Sequence, residues 1–384
     1  MTSRERVLSA LNHEEPDRVP LDFGATMETG IHLSAYAELR GHLGVCDGPV
    51  GERLKLAQLA HVEPAVQTAL GADVRGLYQG VPDGWDFAPV TENGYESYVD
   101  EFGIGWRRSV PDGLYYDMAA HPLADVERPA DIDKHAFPDP RDPGRFRHIA
   151  AELDIVGEAG AFAVLFDNSL GNGIFQMGNH LMGYENFLIA LGTGDAKAAR
   201  LMDKVLELKL AFWDEVLSRF GDRLDIVKEL DDLGTQFNTM ISPETYAQLV
   251  KPRLRELVRF IKGKAPHVRM MMHSCGSMSK MIPHMIEAGV EILNPLQYTA
   301  SDMDAAELKR EFGNDLVFWG GGIETQQILP FGTVQEVKDE VKRMLEILMP
   351  GGGFVFAQVH NIQAGVPVEN MMAMWETVRE CGAY

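Results

Sequence analysis

Short runs of apolar and β-branched residues recur along the chain, each followed by polar loop residues and then by a stretch with helical spacing of apolar positions. Runs of this kind are typical of strands that are buried on both faces, with helices between them. They occupy residues 19–24, 74–80, 161–167, 224–231, 267–273, 290–295, 316–320 and 354–360. Strands and helices that alternate in this way predict an α/β protein with the (β/α)8 TIM-barrel architecture.

Two of the intervening helices carry clear start signals. Ser242 followed by Pro243 combines an N-cap serine with proline at the first helical position. Thr333 and Glu336 have the spacing of a capping box, and apolar residues recur at helical intervals after them. Both patterns place helices between the predicted strands.

One segment departs from this alternation. Residues 87–118 alternate apolar and polar positions, with turn signals at Asn93-Gly94 and at residues 111–113. This pattern predicts a small antiparallel excursion after the second strand. It holds too little apolar sequence for a separate core, so we expect residues 1–384 to form one barrel domain.

Composition narrows the classes of function. The formal net charge of -22 argues against nucleic-acid binding, which needs a basic footprint. No uninterrupted apolar run is long enough to span a membrane, and the N-terminal residues are polar, so we expect a cytoplasmic protein without a membrane partner. Cys46, Cys275 and Cys381 lie far apart, which argues against a disulfide framework.

Polar residues gather where the predicted strands end, which is the face of a barrel that carries the active site. We expect most of them to bind substrate: Asp22, Asp167, Glu229, Asn294, Gln297, Glu324 and Asn361. Asn168 belongs to the same group of strand-end residues. Asp231 and Asp232 are candidates for a general acid or base. Adjacent residues on a strand face opposite ways, so at most one of these two points inward. The alternative is that one of them only caps the following turn.

His273 and Cys275 are two residues apart at the end of the fifth run. Imidazole and thiolate are ligands that zinc prefers, and a catalytic zinc needs three protein ligands with one open position. His360, at the end of the eighth run, is the candidate third ligand. The spacing alone leaves an alternative open, in which His273 is a hydrogen-bonded buried histidine and Cys275 a small packing residue.

Several ordered motifs resemble the uroporphyrinogen decarboxylase superfamily. They are residues 4–8 and 16–20 near the N-terminus, His273–Gly276, Glu291–Pro295, Phe318–Gly321, His360–Gln363 and Pro367–Asn370. The resemblance covers nearly the whole chain. It implies a distorted (β/α)8 barrel with its site in the mouth.

The superfamily contains two chemistries, and the resemblance favours one of them. Metal-free decarboxylases lack the H-x-C pair, whereas the corrinoid-dependent methyltransferases use it to hold zinc together with a later cysteine. His360 stands here in the place of that cysteine, and decarboxylases resemble this chain in having a histidine there. The arginine-rich motif with which decarboxylases bind porphyrin carboxylates is absent, since no arginine occurs between Gly24 and Arg40.

The resemblance therefore implies a zinc-dependent methyltransferase that moves a methyl group between a small methylated donor and a corrinoid (cobalamin) protein. The expected donor is a methoxylated aromatic compound or a methylamine, with Asp231 or Asp232 protonating the leaving group. A metal-free carboxy-lyase of the decarboxylase type is the alternative, and a non-catalytic barrel that binds a corrinoid or a small ligand is a third hypothesis. A homodimer is left open as the assembly.

Overall fold

A curved parallel sheet of seven strands forms the centre of the computed structural model, which describes residues 1–45, 47–156, 161–167 and 170–384. Cys46 and Asn168 lie outside these ranges. The strands in chain order are β1 Glu52–Leu54, β2 Leu59–Ala60, β3 Val74–Leu77, β4 Val90–Glu92, β5 Tyr95–Val99, β6 Gly105–Ser109, β7 Asp117–Ala120, β8 Ala163–Phe166, β9 Ile226–Leu230, β10 Arg269–His273, β11 Ile292–Asn294, β12 Val317–Trp319 and β13 Phe354–Val355. The parallel sheet has the order β13-β12-β11-β10-β9-β8-β3.

Helices connect these strands and cover the outside of the sheet. They are α1 Ser3–Leu11, α2 Leu33–Leu43, α3 Pro64–Leu70, α4 Pro129–Ile132, α5 Ile149–Val156, α6 Ile174–Met182, α7 Tyr184–Thr193, α8 Ala196–Phe220, α9 Pro243–Thr245, α10 Lys251–Lys264, α11 Ile282–Ala288, α12 Ala305–Phe312, α13 Ile328–Phe331, α14 Val334–Leu348 and α15 Val368–Cys381. A π-helical turn at Tyr246–Val250 joins α9 to α10. Ser242 caps α9, and Thr333 with Glu336 forms a capping box on α14, so both predicted helix starts are confirmed.

The first predicted strand, residues 19–24, forms only a single β-bridge in the structure, but it still closes the barrel. Leu21 makes a single parallel bridge with Phe356, and the Phe356 N–H donates to the Pro20 carbonyl at 2.9 Å. On the other side, the Asp73 N–H donates to the Leu21 carbonyl at 2.8 Å. Pro20 has no N–H to extend this ladder, and the chain turns at Gly24 with φ 75. The predicted α/β barrel is confirmed, but a full-length first strand was a wrong expectation.

The strands contribute side chains to two apolar clusters, one inside the barrel and one between the sheet and the helices. Met271 and Ile226 pack with Val317 in the cluster inside the barrel, whereas Met270 and Met272 belong to the larger cluster under the helices. Side chains alternate along a strand, so His273 has the same orientation as Met271 and points into the barrel. The alternation of β10 thus aims its last residue at the mouth.

A second sheet is formed by the segment of the chain between β3 and α4. Its four antiparallel strands have the order β4-β5-β6-β7, in the segment where the sequence predicts an excursion. The ring of Trp106 on β6 contacts His180 on α6 edge to face, with 5.7 Å between ring centroids. This sheet therefore packs against the barrel instead of forming a core of its own. Within the described residues, no helix has the length and apolar character needed to cross a membrane.

The contact between α6 and α7 depends on a glycine. A Cβ built on Gly178 would lie 2.1 Å from Cζ of Phe187, a buried ring on the neighbouring helix. We expect Gly178→Ala to lower the free energy of unfolding by ~1–3 kcal/mol, the usual range for overpacking a core. Gly192 on α7 is the matched control, because a Cβ there meets no atom within 4 Å. Gly192→Ala should leave stability equal or raise it by ~0.4–1 kcal/mol in urea denaturation, and equal losses in both variants would contradict the packing argument.

Candidate metal centre and adjoining cavity

Three side chains from two distant parts of the chain meet at the mouth of the barrel. The ligand atoms of His273, Cys275 and His360 all lie within 4.8 Å of one another. Cys275 Sγ is 3.3 Å from His273 Nε2. His273 ends β10 and Cys275 follows it, whereas His360 comes after β13. The barrel therefore joins the three residues that the sequence proposes as metal ligands.

Hydrogen bonds determine which nitrogen of His273 is available. Its Nδ1 is 2.6 Å from Asn294 Oδ1, and the Asn294 amide donates in turn to the Trp319 carbonyl at 2.8 Å. A carbonyl can only accept, so the Asn294 oxygen faces the imidazole and Nδ1 carries the proton. The lone pair on Nε2 then points toward Cys275. Asn294, predicted to bind substrate, is placed where it orients His273.

His360 is held in the same manner. Its Nδ1 is 2.6 Å from Asn361 Oδ1, which also accepts from the Gln363 amide at 2.7 Å. Burial and the neighbouring His273 lower the pKa of His360, which favours the neutral imidazole. Neutral imidazole is the form that binds metals. Asn361 thus contacts the cluster through His360.

The loop that carries Cys275 is tightly packed. Gly276 has φ 90, and a Cβ on it would lie 2.6 Å from the backbone of Gly234 and of Thr235. The Cys275 N–H donates to Asp232 Oδ1 at 2.9 Å. Burial, and then the charge of Asp232, raise the pKa of the Cys275 thiol well above its usual value. Without a cation the residue is therefore a thiol, and metal binding would release its proton.

The donor set fits zinc. Ligands at 2.0–2.3 Å from a tetrahedral ion lie roughly 3.5 Å apart, close to the Sγ–Nε2 separation in this cluster. In each imidazole the Nδ1–H donates to the side-chain oxygen of an asparagine. Histidines that bind zinc through one nitrogen usually make such a hydrogen bond with the other. Two histidines and a thiolate leave one of four positions open, as catalytic sites require.

Asp231 and Asp232 face different surroundings, as two consecutive residues must. Both oxygens of Asp231 accept backbone N–H groups at the start of α6, from Phe175 at 3.0 Å and from Gln176 at 2.7 Å. Asp232 Oδ1 lies 3.7 Å from His273 Nε2, and its side chain is 31% exposed. Asp232 therefore adjoins the cluster, whereas Asp231 caps a helix.

Three other predicted substrate-binding carboxylates are engaged by the protein itself. Asp22 accepts from the Trp319 indole at 2.8 Å and from the Ala25 N–H, and burial raises its pKa to about 6. Glu229 lies on the outward face of β9, where Lys209 and Trp213 of α8 donate to it at 2.7 and 2.6 Å.

Glu324 accepts from three successive backbone N–H groups, those of Gln326, Gln327 and Ile328. Its carboxylate borders the cavity described below, but these bonds hold it at the start of α13.

The sequence analysis did not predict a network of ion pairs that lies buried inside the barrel. Lys228 is fully buried, and its ammonium lies 2.6 Å from Glu28 and 2.7 Å from Asp167. Arg53 pairs with the other oxygen of Asp167. Among the four, only Asp167 is a predicted site residue. The available signal was a lysine at an inward position of β9, two residues after the interior Ile226.

A cavity of about 340 Å³ opens beside the cluster. Its lining comprises Gly234, Thr235, Gln236, Cys275, Gly276, Gln297, Thr299, Glu324, Thr325, Gln326, Val359 and His360. Gln297 braces this wall, accepting from the Gly276 N–H at 2.8 Å and donating to Gln236 at 3.1 Å. Two of the candidate ligands, Cys275 and His360, are thus exposed to a small molecule in the cavity.

Comparison with known proteins gives a consistent picture of the fold. The family model described as uroporphyrinogen decarboxylase (URO-D) matches residues 119–381. A protein named uroporphyrinogen decarboxylase from Alkalilimnicola ehrlichii is 23% identical over 387 residues, covering 98% of this chain and 93% of the relative. A solved methyltransferase structure from Methanosarcina mazei superposes with a TM-score of 0.64 at 20% identity, over 99% of each chain.

Proposed function

The chain belongs to the uroporphyrinogen decarboxylase (URO-D) family, and we propose that within this family it is a zinc-dependent methyltransferase. It would move a methyl group between a small methylated donor and a corrinoid carried by a partner protein. The observation that carries this proposal is the cluster of His273, Cys275 and His360, whose ligand atoms lie within 4.8 Å of one another beside an open cavity.

The sequence resemblance also supports the proposal, because it assigns the H-x-C pair, which supplies two of the three candidate ligands, to the methyltransferase branch. The methyltransferase from Methanosarcina mazei shares the fold over 99% of the chain, and at 20% identity this likeness shows the fold alone. The ligand set with a second histidine distinguishes this chain from the two-cysteine pattern of that branch.

Each residue of the site has a defined task in this proposal. His273, Cys275 and His360 would hold the zinc, which when bound supplies a Lewis acid for the heteroatom that bears the methyl group. Asn294 and Asn361 orient the two imidazoles through Nδ1. A corrinoid on the partner protein would supply the cobalt that accepts the methyl group.

Asp232 is the residue that would move a proton. Its carboxylate lies 3.7 Å from His273 Nε2 and its side chain is 31% exposed, so it adjoins the cluster and can exchange a proton with solvent. We assign it, and not Asp231, to protonation of the heteroatom when the methyl group leaves, because Asp231 is buried at the start of α6, whereas Asp232 is partly exposed and adjoins His273.

A metal-free decarboxylase remains the second candidate, favoured by the Alkalilimnicola relative of that name. Porphyrin carboxylates need cationic partners. Among the described residues that line the cavity, none is lysine or arginine. Arg53, which borders two other cavities, is paired with Asp167. The lining therefore supports the methyltransferase over the decarboxylase.

The proposal is tested by following cob(I)alamin spectroscopically with zinc-loaded protein and a panel of methyl ethers, methylamines and methoxybenzenes. We expect methylcobalamin to form with wild-type protein. Asp232→Asn should slow its formation by ~10²–10⁴-fold, the usual contribution of general acid catalysis, while the bound zinc is retained.

Asp302→Asn is the matched control, because Asp302 is exposed in another loop and should leave the rate unchanged. Turnover without any corrinoid would contradict the methyltransferase. Release of carbon dioxide from uroporphyrinogen by metal-free protein would establish the second candidate instead.

A further inference from the structure

The wall of the cavity beside the candidate metal centre points to a specific class of methyl donor. Building on the proposed function, we propose that the donor is a small, neutral, aliphatic methyl ether that carries hydroxyl groups, such as a methylated polyol. This class differs from the methoxylated aromatic compounds and methylamines that the sequence resemblance implies.

The polar side chains of the wall are almost all uncharged. Three glutamines and three threonines line it: Gln236, Gln297, Gln326, Thr235, Thr299 and Thr325. An amide or a hydroxyl group can both donate and accept hydrogen bonds, as the hydroxyl groups of a polyol can. The wall therefore matches a ligand whose polar groups are neutral and of both kinds.

Several of these groups are available to a ligand. In the part of the chain that the structure describes, the side chains of Gln326, Thr299 and Thr325 make no hydrogen bond to protein, and one is buried (Thr325, 8% exposed). Gln236 uses one amide proton on the Thr299 carbonyl, and Gln297 uses one on Gln236. Each of these two amides keeps a second proton that can face the cavity.

The charges near the wall disfavour an anionic donor. Glu324 is the charged carboxylate of the lining, and Asp232 lies just behind Cys275. The described lining contains no lysine or arginine to balance a carboxylate on the donor. Glu324 offers a cation less than a free carboxylate would, because three backbone N–H groups already bind its oxygens.

The wall also lacks the groups that recognise arenes and quaternary amines. Such ligands bind against the faces of Phe, Tyr or Trp. None of these residues is among the described lining of the cavity. Phe237 follows Gln236 in the chain, but its side chain is 79% exposed and lies outside the lining. The volume of about 340 Å³ is at the small end of ligand pockets, which suits a donor of few atoms.

Isothermal titration of zinc-loaded protein with four probes tests this inference. The probes are 3-methoxypropane-1,2-diol, methoxyacetate, 4-methoxyphenol and tetramethylammonium, which are neutral and hydroxylated, anionic, aromatic and cationic. We expect the diol ether to bind at least about tenfold more tightly than the other three, because its hydroxyl groups pair with polar groups that the others leave unpaired.

Variants of Gln326 sharpen the test. Gln326→Leu should weaken binding of the diol ether by about tenfold, and Gln326→Lys should shift the preference toward methoxyacetate. Gln335→Leu is the matched control, because Gln335 is an exposed glutamine on α14 and should change neither affinity.

The outcomes separate this inference from the proposed function. Tighter binding of methoxyacetate, 4-methoxyphenol or tetramethylammonium than of the diol ether would overturn the inference, even if the protein methylates cobalamin. Preferential binding of the diol ether, weakened by Gln326→Leu, would support the inference even if cobalamin is never methylated, in which case the proposed function alone fails.

Discussion

Cys275→Ala is expected to abolish retention of zinc, whereas wild-type protein purified without added zinc should carry close to one ion per chain. Loss of the thiolate removes one of three protein ligands. Loss of a residue that only hydrogen-bonds to a metal ligand costs about 10–100-fold in metal affinity. Loss of a ligand itself should therefore lower zinc affinity by more than ~100-fold. Elemental analysis and competition with a chromogenic chelator measure both quantities. The apparent affinity of the wild type should rise with pH, since binding displaces the proton of the buried Cys275 thiol.

The chain offers a matched control for this experiment. Cys381 is a free, exposed cysteine at the end of α15, where it borders a different cavity from the one beside the cluster. Cys381→Ala should retain zinc with wild-type affinity. Wild-type zinc affinity in Cys275→Ala would refute the ligand assignment, and an absence of zinc in wild-type protein with intact His273 and Cys275 would refute the metal centre itself.

Lys228→Met is expected to cause the largest loss of stability among the variants considered. Lys228 is fully buried between Glu28 and Asp167, at 2.6 and 2.7 Å. Its removal leaves Glu28 as a buried carboxylate without its cation, while Asp167 keeps Arg53. Breaking a buried ion pair from one side costs ~3–5 kcal/mol of unfolding free energy. Urea denaturation of the metal-free protein measures the change without a contribution from ligand binding.

Lys134→Met controls for the loss of a lysine. Lys134 pairs with Asp131, but its side chain is 68% exposed, and such pairs are worth ~0–1 kcal/mol. The double variant Glu28→Gln, Lys228→Met should recover part of the stability that Lys228→Met loses, because no buried carboxylate then lacks a partner. A loss in Lys228→Met no larger than in Lys134→Met would show that Lys228 is not part of a tight ionic network.

The polar residues at the strand ends separate into two groups that sequence spacing does not distinguish. Asn294, Asn361 and Gln297 support the cluster or the cavity wall. Glu229 is directed instead toward the helix layer, where it contacts Lys209 and Trp213. Period-two alternation requires neighbours to face opposite ways, but the phase of each strand depends on which side chains fill the barrel interior.

The sequence by itself determined the α/β barrel, because buried strands and amphipathic helices have local periodicities that need no distant partner. It also identified the H-x-C pair, since two residues at the end of one strand are close whatever the rest of the chain does. Only the tertiary structure decided that His360 meets this pair, that Asp232 rather than Asp231 adjoins it, and that Lys228 joins Glu28 to Asp167. These contacts are between residues that are far apart in sequence. Their geometry depends on how the barrel closes, which cannot be predicted from a local sequence pattern.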